Sequence, residues 1–203
     1  WRFPPDGEKE TTVKNFLRQI KASGKSLINN SEFALYKSAN TDILGWVAEV
    51  VSGRSLRSWI LDIVEATGIE NSWTVTTDRN GFPILSGGIS SSARDLARFG
   101  QLFCRCGSGI GGRSVGDKKF IKQTIKEPGK QAKSFLPDIY YSNQTFCSQD
   151  WLGHPGYGGQ FLLANIDTGI SIAFFSVLEN RSAVQSSYQI DFIKMLANVS
   201  RGF

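Results

Sequence analysis

Few side chains in this sequence could act as an acid, a base, a nucleophile or a strong metal ligand. The 203 residues contain one histidine, His154, and three cysteines, Cys104, Cys106 and Cys147. These counts exclude a zinc enzyme with several histidine ligands and a disulfide-dense scaffold, and we expect no metal and no cofactor. None of the serines has a lysine three residues further on, so the chain contains no Ser-x-x-Lys motif.

Three segments nevertheless combine polar side chains with glycines. The first, residues 33–46, contains Tyr36-Lys37-Ser38 ahead of Leu-Gly-Trp. The second, residues 87–100, reads Gly-Gly-Ile-Ser-Ser-Ser-Ala-Arg-Asp-Leu-Ala-Arg-Phe-Gly. The third, residues 153–160, reads Gly-His-Pro-Gly-Tyr-Gly-Gly-Gln. Together they supply a phenol, a hydroxyl and an imidazole, beside glycines that allow close approach to the backbone.

In this order the segments resemble motifs of the serine β-lactamase and penicillin-binding-protein superfamily. The nearest branch is that of the class C-like esterases and the 6-aminohexanoate-dimer hydrolases. The resemblance covers nearly the whole chain. The first segment is similar to the family's Tyr-x-Asn or Tyr-x-Ser motif, and the third to its Lys-Thr-Gly or His-x-Gly strand motif. The second is similar to the characteristic stretch Gly-Gly-x-x-x-Thr-Ala-Arg-Asp-Leu-Ala-Arg-Phe-Gly. It implies a serine hydrolase that attacks an ester or amide carbonyl and passes through an acyl-enzyme.

The resemblance also implies roles for individual residues. Tyr36 matches the catalytic tyrosine, and Ser38 matches a position whose hydroxyl could bind the family's lysine or the substrate. His154 stands where the family has lysine and could donate to substrate or tune Tyr36. Gly156 would let substrate approach the strand, and the Tyr157 backbone N–H would be half of an oxyanion hole. The site is expected between the lobe that carries Tyr36 and the sheet edge that carries Gly156.

Each of these residues also has a purely structural interpretation. Tyr36 could be an ordinary half-buried aromatic residue, and Ser38 or Asn40 could cap the helix that follows. His154 could lie in a loop, among glycines that serve only a turn. Arg94 and Asp95 of the second segment fit structural positions on a helix, and we do not predict them to be catalytic.

Hydrophobic spacing and capping residues indicate the helices that position these segments. Thr41 is predicted to cap the second helix, with Asp42 opposing its dipole and Gly53 ending it. The face that this helix is expected to bury consists of Ile43, Leu44, Val47, Val50 and Val51. The first four helices are predicted over residues 13–23, 42–52, 56–67 and 93–103, with Thr12 as the cap of the first and Ser91 or Ser92 as the cap of the fourth.

Two apolar runs, residues 160–166 and 170–178, predict an antiparallel hairpin that turns at Asp167-Thr168-Gly169. Both faces of this hairpin are apolar, so it needs neighbouring strands and covering helices. Residues 107–143 are interpreted as a loop with a short helix near 118–125, which leaves few other candidate strands. A closing helix is expected to bury Val184, Tyr188, Phe192, Leu196 and Val199. The resemblance implies an α+β fold of the β-lactamase/transpeptidase type, an antiparallel sheet flanked by helices with a helical lobe.

The net charge of +5 is concentrated in one segment. Residues 112–134 contain seven basic and two acidic side chains, whereas charges in the rest of the chain cancel. We interpret this segment as a solvated face and not as a nucleic-acid-binding surface, because no aromatic platform or phosphate-binding loop accompanies it. No apolar run approaches the ~20 residues that a membrane span needs.

Residues 1–203 are expected to form a single partial domain that begins downstream of the family's first strands and of its nucleophile. We therefore expect a serine hydrolase for small ester, amide or peptide-like substrates, inactive in this chain because the nucleophilic serine is absent. The alternative is a non-catalytic binding protein of the same fold. No sequence signal selects a compartment or an oligomeric state.

Overall fold

The computed structural model describes residues 12–21, 30–132, 138–179 and 187–202. A short 3-10 turn, Ile110–Gly112, lies between the fourth and fifth helices. The helices are α1 (Val13–Gln19), α2 (Ser38–Ser52), α3 (Leu56–Thr67), α4 (Ala93–Cys104), α5 (Lys118–Lys126) and α6 (Ser187–Ser200). The strands are β1 (Thr74–Val75), β2 (Ile89–Ser90), β3 (Lys130–Gln131), β4 (Tyr140–Ser142), β5 (Thr145–Cys147), β6 (Trp151–Pro155), β7 (Phe161–Asn165) and β8 (Ser171–Phe174).

The chain divides into two compact units. Unit 1 takes in residues 36–61 and 74–90 together with the described part of the first 28 residues. Unit 2 takes in residues 62–73 and 91–202, as far as they are described, together with residues 30–35. The expectation of a single partial domain stays a prediction.

Unit 1 is built from α1, α2 and the start of α3, with a small antiparallel ribbon of β1 and β2. Thr12 caps α1 as predicted, because its hydroxyl oxygen accepts the N–H of Asn15 at 3.3 Å. The core of this unit consists of Val13, Leu17, Leu56 and Phe82, with Ala39, Trp46, Ile84 and Leu85 packed against it.

Helix α2 differs from the prediction at its start and in the face that it buries. It begins at Ser38 after Lys37, so Thr41 lies inside the helix and is not its cap. The expected apolar face is exposed, and Val50 and Val51 are 72% and 80% exposed. The helix buries Asp42 and Gly45 instead. The backbone at Gly45 lies so close to Leu85 that a Cβ atom at this position would meet the Leu85 side chain. Its predicted end at Gly53 is confirmed, since Gly53 adopts a left-handed φ of 66°.

Unit 2 contains a six-stranded antiparallel sheet in the order β3-β4-β5-β6-β7-β8. The predicted hairpin is confirmed as β7 paired with β8, in register from Phe161 opposite Phe174 to Ala164 opposite Ser171. The expectation that residues 107–143 form a loop with a short helix is incomplete, because this segment also contributes β3 and β4. These strands have only two and three residues, too few to show an alternating pattern.

Helices cover both faces of the hairpin's first strand. Phe161 and Leu163 of β7 pack against Ile190 and Ile193 of α6. Ala164 faces the opposite way, in a cluster with residues of α4 and α5. Every residue of β7 is buried, as expected of a strand covered on both faces. The predicted antiparallel sheet flanked by helices is confirmed.

The predictions for helices α5 and α6 are confirmed in part. Asp117 caps α5, which agrees with the short helix expected near residues 118–125, and Ile121 and Ile125 pack against the core of unit 2. In α6, Leu196 is buried as expected but Val199 is 40% exposed, and Val184 lies outside the described residues. None of the helices formed by the described residues combines the length and the apolar character that crossing a bilayer requires.

Candidate active-site residues

Tyr36 and Ser38 lie together at the start of α2 in unit 1. Tyr36 is two residues ahead of the helix and is 52% exposed, so it is not the half-buried core residue of the structural interpretation. Ser38 is the first residue of the helix and is half-buried. The cap is Lys37, which makes no capping hydrogen bond through its side chain, so the interpretation of Ser38 as the helix cap is wrong.

His154 lies in unit 2, on β6 and opposite Leu162 of β7. The interpretation of His154 as a loop residue is therefore wrong. Strand β5 pairs with β6 only at Leu152 and Gly153, so the end of β6 from His154 onward extends beyond β5. Strand β6 is an interior strand of the sheet, and the expected sheet edge exists only at this projecting end.

The imidazole of His154 is neutral at pH 7. It is half-buried, and its ring centroid lies 5.9 Å from that of Phe103. Burial lowers the pKa of His154 to about 4, because a charged imidazolium is poorly solvated there. Within the described part of the chain the imidazole makes no hydrogen bond. A neutral imidazole has one N–H donor and one acceptor nitrogen, so this group can both give and take a hydrogen bond.

Gly156 and Tyr157 follow β6 in the turn that leads to β7. The Gly156 N–H donates to the Gln160 carbonyl at 2.7 Å and closes this turn. A Cβ atom at Gly156 would come within 2.8 Å of the Gln160 Cβ, so the glycine serves the turn whatever its role toward substrate. The side chain of Tyr157 is 70% exposed.

Three residues that sequence reasoning did not identify hold this turn in place. The Gln160 side-chain amide donates to the Ser176 carbonyl at 2.6 Å, and the Ser176 hydroxyl donates to the Gly158 carbonyl at 3.3 Å. The Gln189 amide of α6 donates to the Ser176 oxygen at 2.9 Å. Only Gln160, directly after two glycines, had a position in the sequence that could have drawn attention to it.

The structure brings Tyr36 and Ser38 together, and it brings His154, Gly156 and Tyr157 together. The two groups belong to different units. The expected approach of Tyr36 to His154 therefore stays a prediction.

Asp95, in the second segment, has a structural role as expected. It is fully buried at the start of α4, where its carboxylate accepts the Glu70 N–H and binds the side chains of Asn71, Ser92 and Arg98. Burial alone would raise the pKa of Asp95, but these hydrogen bonds outweigh it and hold the pKa far below its ordinary value.

One serine lies in a sequence with the spacing of a nucleophile elbow, but its surroundings do not have the structure of an elbow. The residues Gly112-Arg113-Ser114-Val115-Gly116 read Gly-x-Ser-x-Gly. Ser114 lies in an isolated bridge with Ser108 and donates to the Gly116 carbonyl at 3.4 Å. An elbow requires a sharp turn between a strand and a helix, so Ser114 does not take that role. Among the described residues, no three His, Cys, Asp or Glu side chains gather as a metal ion would require.

Comparison with known proteins connects these features to one family. The family model described as "Beta-lactamase" matches residues 4–191. The chain belongs to the beta-lactamase family. Within this family, it is 30% identical over 164 residues to the 6-aminohexanoate-dimer hydrolase of Paenarthrobacter ureafaciens, a match that covers 76% of the chain and 39% of that relative.

Solved structures show the same fold. A protein of Bacillus anthracis, provisionally named a 6-aminohexanoate-dimer hydrolase, superposes with a TM-score of 0.71 at 22% identity, over 98% of this chain and 50% of that one. A protein of Bacteroides dorei, provisionally named a beta-lactamase, superposes with a TM-score of 0.66 at 16% identity, over 99% of this chain and 68% of that one. The beta-lactamase-family chain thus spans about two fifths of the curated relative's length and half of the first structure's length.

Proposed function

We propose that this beta-lactamase-family chain carries residues of a serine hydrolase site that cleaves ester or amide bonds through an acyl-enzyme. The observation that carries the proposal is the imidazole of His154, which is neutral, without a hydrogen bond in the described chain, and next to a glycine turn at the projecting end of β6. A group in this state can donate a hydrogen bond to a substrate carbonyl or carboxylate.

In the proposed reaction, a serine oxygen bonds to the carbonyl carbon and the alcohol or amine leaves with a proton. Water then cleaves the resulting acyl ester. Tyr36 acts as the proton acceptor and Ser38 hydrogen-bonds substrate or the family's lysine. The Tyr157 N–H donates to the oxygen that becomes negative in the transition state, and Gly156 allows the substrate to lie against the strand.

We further propose that the 203 residues by themselves do not form an acyl-enzyme. The reason is that none of their serines has a lysine three residues on, and the family's reaction uses that pair. Incubation with a fluorophosphonate probe should leave the chain unlabelled by intact-mass analysis. Stoichiometric labelling at a serine would contradict this proposal.

The name of one relative, a 6-aminohexanoate-dimer hydrolase, supports a choice of substrate class. We propose that the site accepts a linear amide such as the 6-aminohexanoate dimer. Because His154 is the single histidine, its imidazole NMR signal is unambiguous. Saturable movement of that signal with the dimer is the expected result, and 6-aminohexanoate methylamide and hexane-1,6-diol serve as comparison ligands.

A non-catalytic binding protein of the same fold is the second candidate, favoured by the missing Ser-x-x-Lys. The coding sequence upstream of Trp1 separates the two candidates. A Ser-x-x-Lys motif in the same reading frame supports the hydrolase. A start codon close to Trp1 with no such motif supports the binding protein.

A further inference from the structure

Unit 1 contains a surface cavity of about 450 Å³, open to solvent, that the proposed hydrolase chemistry does not use. Its lining comes from α1, from the end of α2 and the start of α3, and from residues 78–82. Neither Tyr36 nor Ser38 is part of that lining. Ligand pockets in proteins have volumes of about 300–1,000 Å³, so the cavity has room for a small organic molecule.

The charged side chains of this cavity leave an excess of positive charge. Lys14, Arg18 and Arg57 line it, together with the carboxylates of Glu49 and Asp78. Three cations and two anions give a formal charge of +1. A ligand that matches this lining should therefore carry negative charge.

Both carboxylates already have partners inside unit 1. Glu49 accepts the Lys14 ammonium at 2.8 Å and the Leu56 N–H at 2.9 Å. Burial tends to raise the pKa of Glu49, but these two hydrogen bonds lower it overall, so the carboxylate is ionised. Asp78 accepts the N–H groups of Val13 and Phe82 at 2.9 and 3.0 Å. Neither carboxylate forms an ion pair with Arg18 or Arg57.

The two arginines are differently placed. The Arg18 guanidinium carbon lies 5.0 Å from the Trp46 ring centroid, and one of its nitrogens donates to the Asn15 side chain at 3.0 Å. A guanidinium held against an aromatic ring keeps in-plane N–H donors available at its edge. The Arg57 side chain has no hydrogen bond or ion pair within the part of the chain that the structure describes.

We propose that this cavity binds a small organic anion, whose carboxylate or phosphate group is held by Arg18 and Arg57. The planar donor fork of arginine matches the paired oxygens of both groups. The Lys14 ammonium, fixed by Glu49, adds positive charge at the same cavity. The proposed anion site does not depend on acyl transfer, and its test measures ligand binding and not catalytic activity.

The test is calorimetric titration of the 203-residue chain with succinate and, separately, with glycerol 3-phosphate at constant low ionic strength. Saturable binding of at least one of them is expected, and the ligand that binds identifies the head group. The double variant Arg18→Gln/Arg57→Gln should raise the Kd at least tenfold, and Arg57→Gln alone about threefold. Arg54→Gln is the matched control, because Arg54 also lies over a ring, that of Trp59, but does not line the cavity.

Three results would overturn the proposal. They are no saturable binding of either anion to the parent chain, an unchanged Kd in the double variant, and a Kd raised as much by Arg54→Gln as by Arg57→Gln. The last result would indicate a response to net charge alone. Thermal unfolding of each variant without ligand shows that it folds. Both arginines are exposed, so their replacement by glutamine should leave the unfolding midpoint near that of the parent.

Discussion

Buried carboxylates hold distant stretches of this chain together. Asp42 is fully buried on α2, and one of its oxygens accepts the N–H groups of Leu85 and Ser86 at 2.9 and 3.0 Å. Its other oxygen is buried without a hydrogen-bond partner among the described residues. Asp42 was expected to oppose the helix dipole, but it instead attaches the start of α2, next to Ser38 and Tyr36, to residues 85–86.

Two replacements of Asp42 should separate the contribution of its acceptor oxygen to stability from the contribution of its charge. Asp42→Ala leaves two N–H groups without an acceptor and should lower the free energy of unfolding by about 2 kcal/mol or more. Asp42→Asn keeps an acceptor oxygen and should cost less than half as much. Urea denaturation measures both variants. Equal losses, or no loss in the alanine variant, would contradict this account.

His154 makes the stability of the fold depend on pH in a defined window. Its pKa is about 4 in the folded state and near ~6.5 when unfolded, so between these values the unfolded state binds more protons. The contribution of neutral His154 to stability is therefore complete above pH ~6.5 and is lost as the pH falls toward 4. The single imidazole signal should titrate in NMR with a midpoint near 4. In His154→Gln, stability should fall less over this window, and an imidazole midpoint near 6.5 would refute the burial argument.

Strand β6 is packed so closely against β7 that one of its positions excludes any side chain. Gly153 pairs with Leu163, and a Cβ atom there would overlap the Leu162 carbonyl oxygen of the neighbouring strand. A backbone atom cannot rotate away as a side chain can, so the two strands would have to move apart. This contact places His154, the next residue, in a fixed register with β7.

Gly153→Ala should therefore lower the free energy of unfolding by about 1–3 kcal/mol, the usual cost of overpacking. It should also shift the NMR signal of His154. Gly87→Ala is the matched control, since no atom lies within 4 Å of a Cβ there and the backbone does not require glycine. Gly87→Ala should stay within about 0.5 kcal/mol of the parent chain. A tolerated Gly153→Ala would mean that β6 and β7 are less tightly paired than described.

At the scale of the whole molecule, the segment that carries the excess positive charge contains regular secondary structure. The basic segment 112–134 contains helix α5, and two of its cations have partners in unit 2. Arg113 pairs with Glu65 at 2.7 Å, and the Lys130 ammonium donates to the Ser31 carbonyl at 2.6 Å. The interpretation of the segment as a solvated face, and not as a nucleic-acid-binding surface, stays a prediction.

We therefore predict no specific nucleic-acid binding by this segment. A labelled DNA duplex should show no saturable binding at 150 mM salt, and any weak binding at lower salt should not select a sequence. Lys118→Gln/Lys119→Gln and the control pair Arg54→Gln/Arg57→Gln, which lies outside the segment, should affect such weak binding equally. Tight binding with a steep dependence on salt, lost only in the lysine pair, would contradict the prediction.

Local features of this fold were predictable from the sequence. The cap at Thr12, the fourth helix's cap at one of two adjacent serines, the end of α2 at Gly53 and the hairpin β7–β8 depend on residues a few positions apart. Of the two serines, the structure shows Ser92 to be the cap. The family was also predictable, because its motifs are short and keep their order along the chain.

Other features required the tertiary structure. The apolar stripe of α2 predicted a buried face, but burial is decided by what packs against the helix, and the partner of Asp42 lies 43 residues away at Leu85. Strands β3 and β4 are recognisable only from their pairing partners. The lone histidine could be identified as a candidate by its type and neighbours. Its neutral state follows from desolvation by the surrounding residues, which come together only in the folded chain.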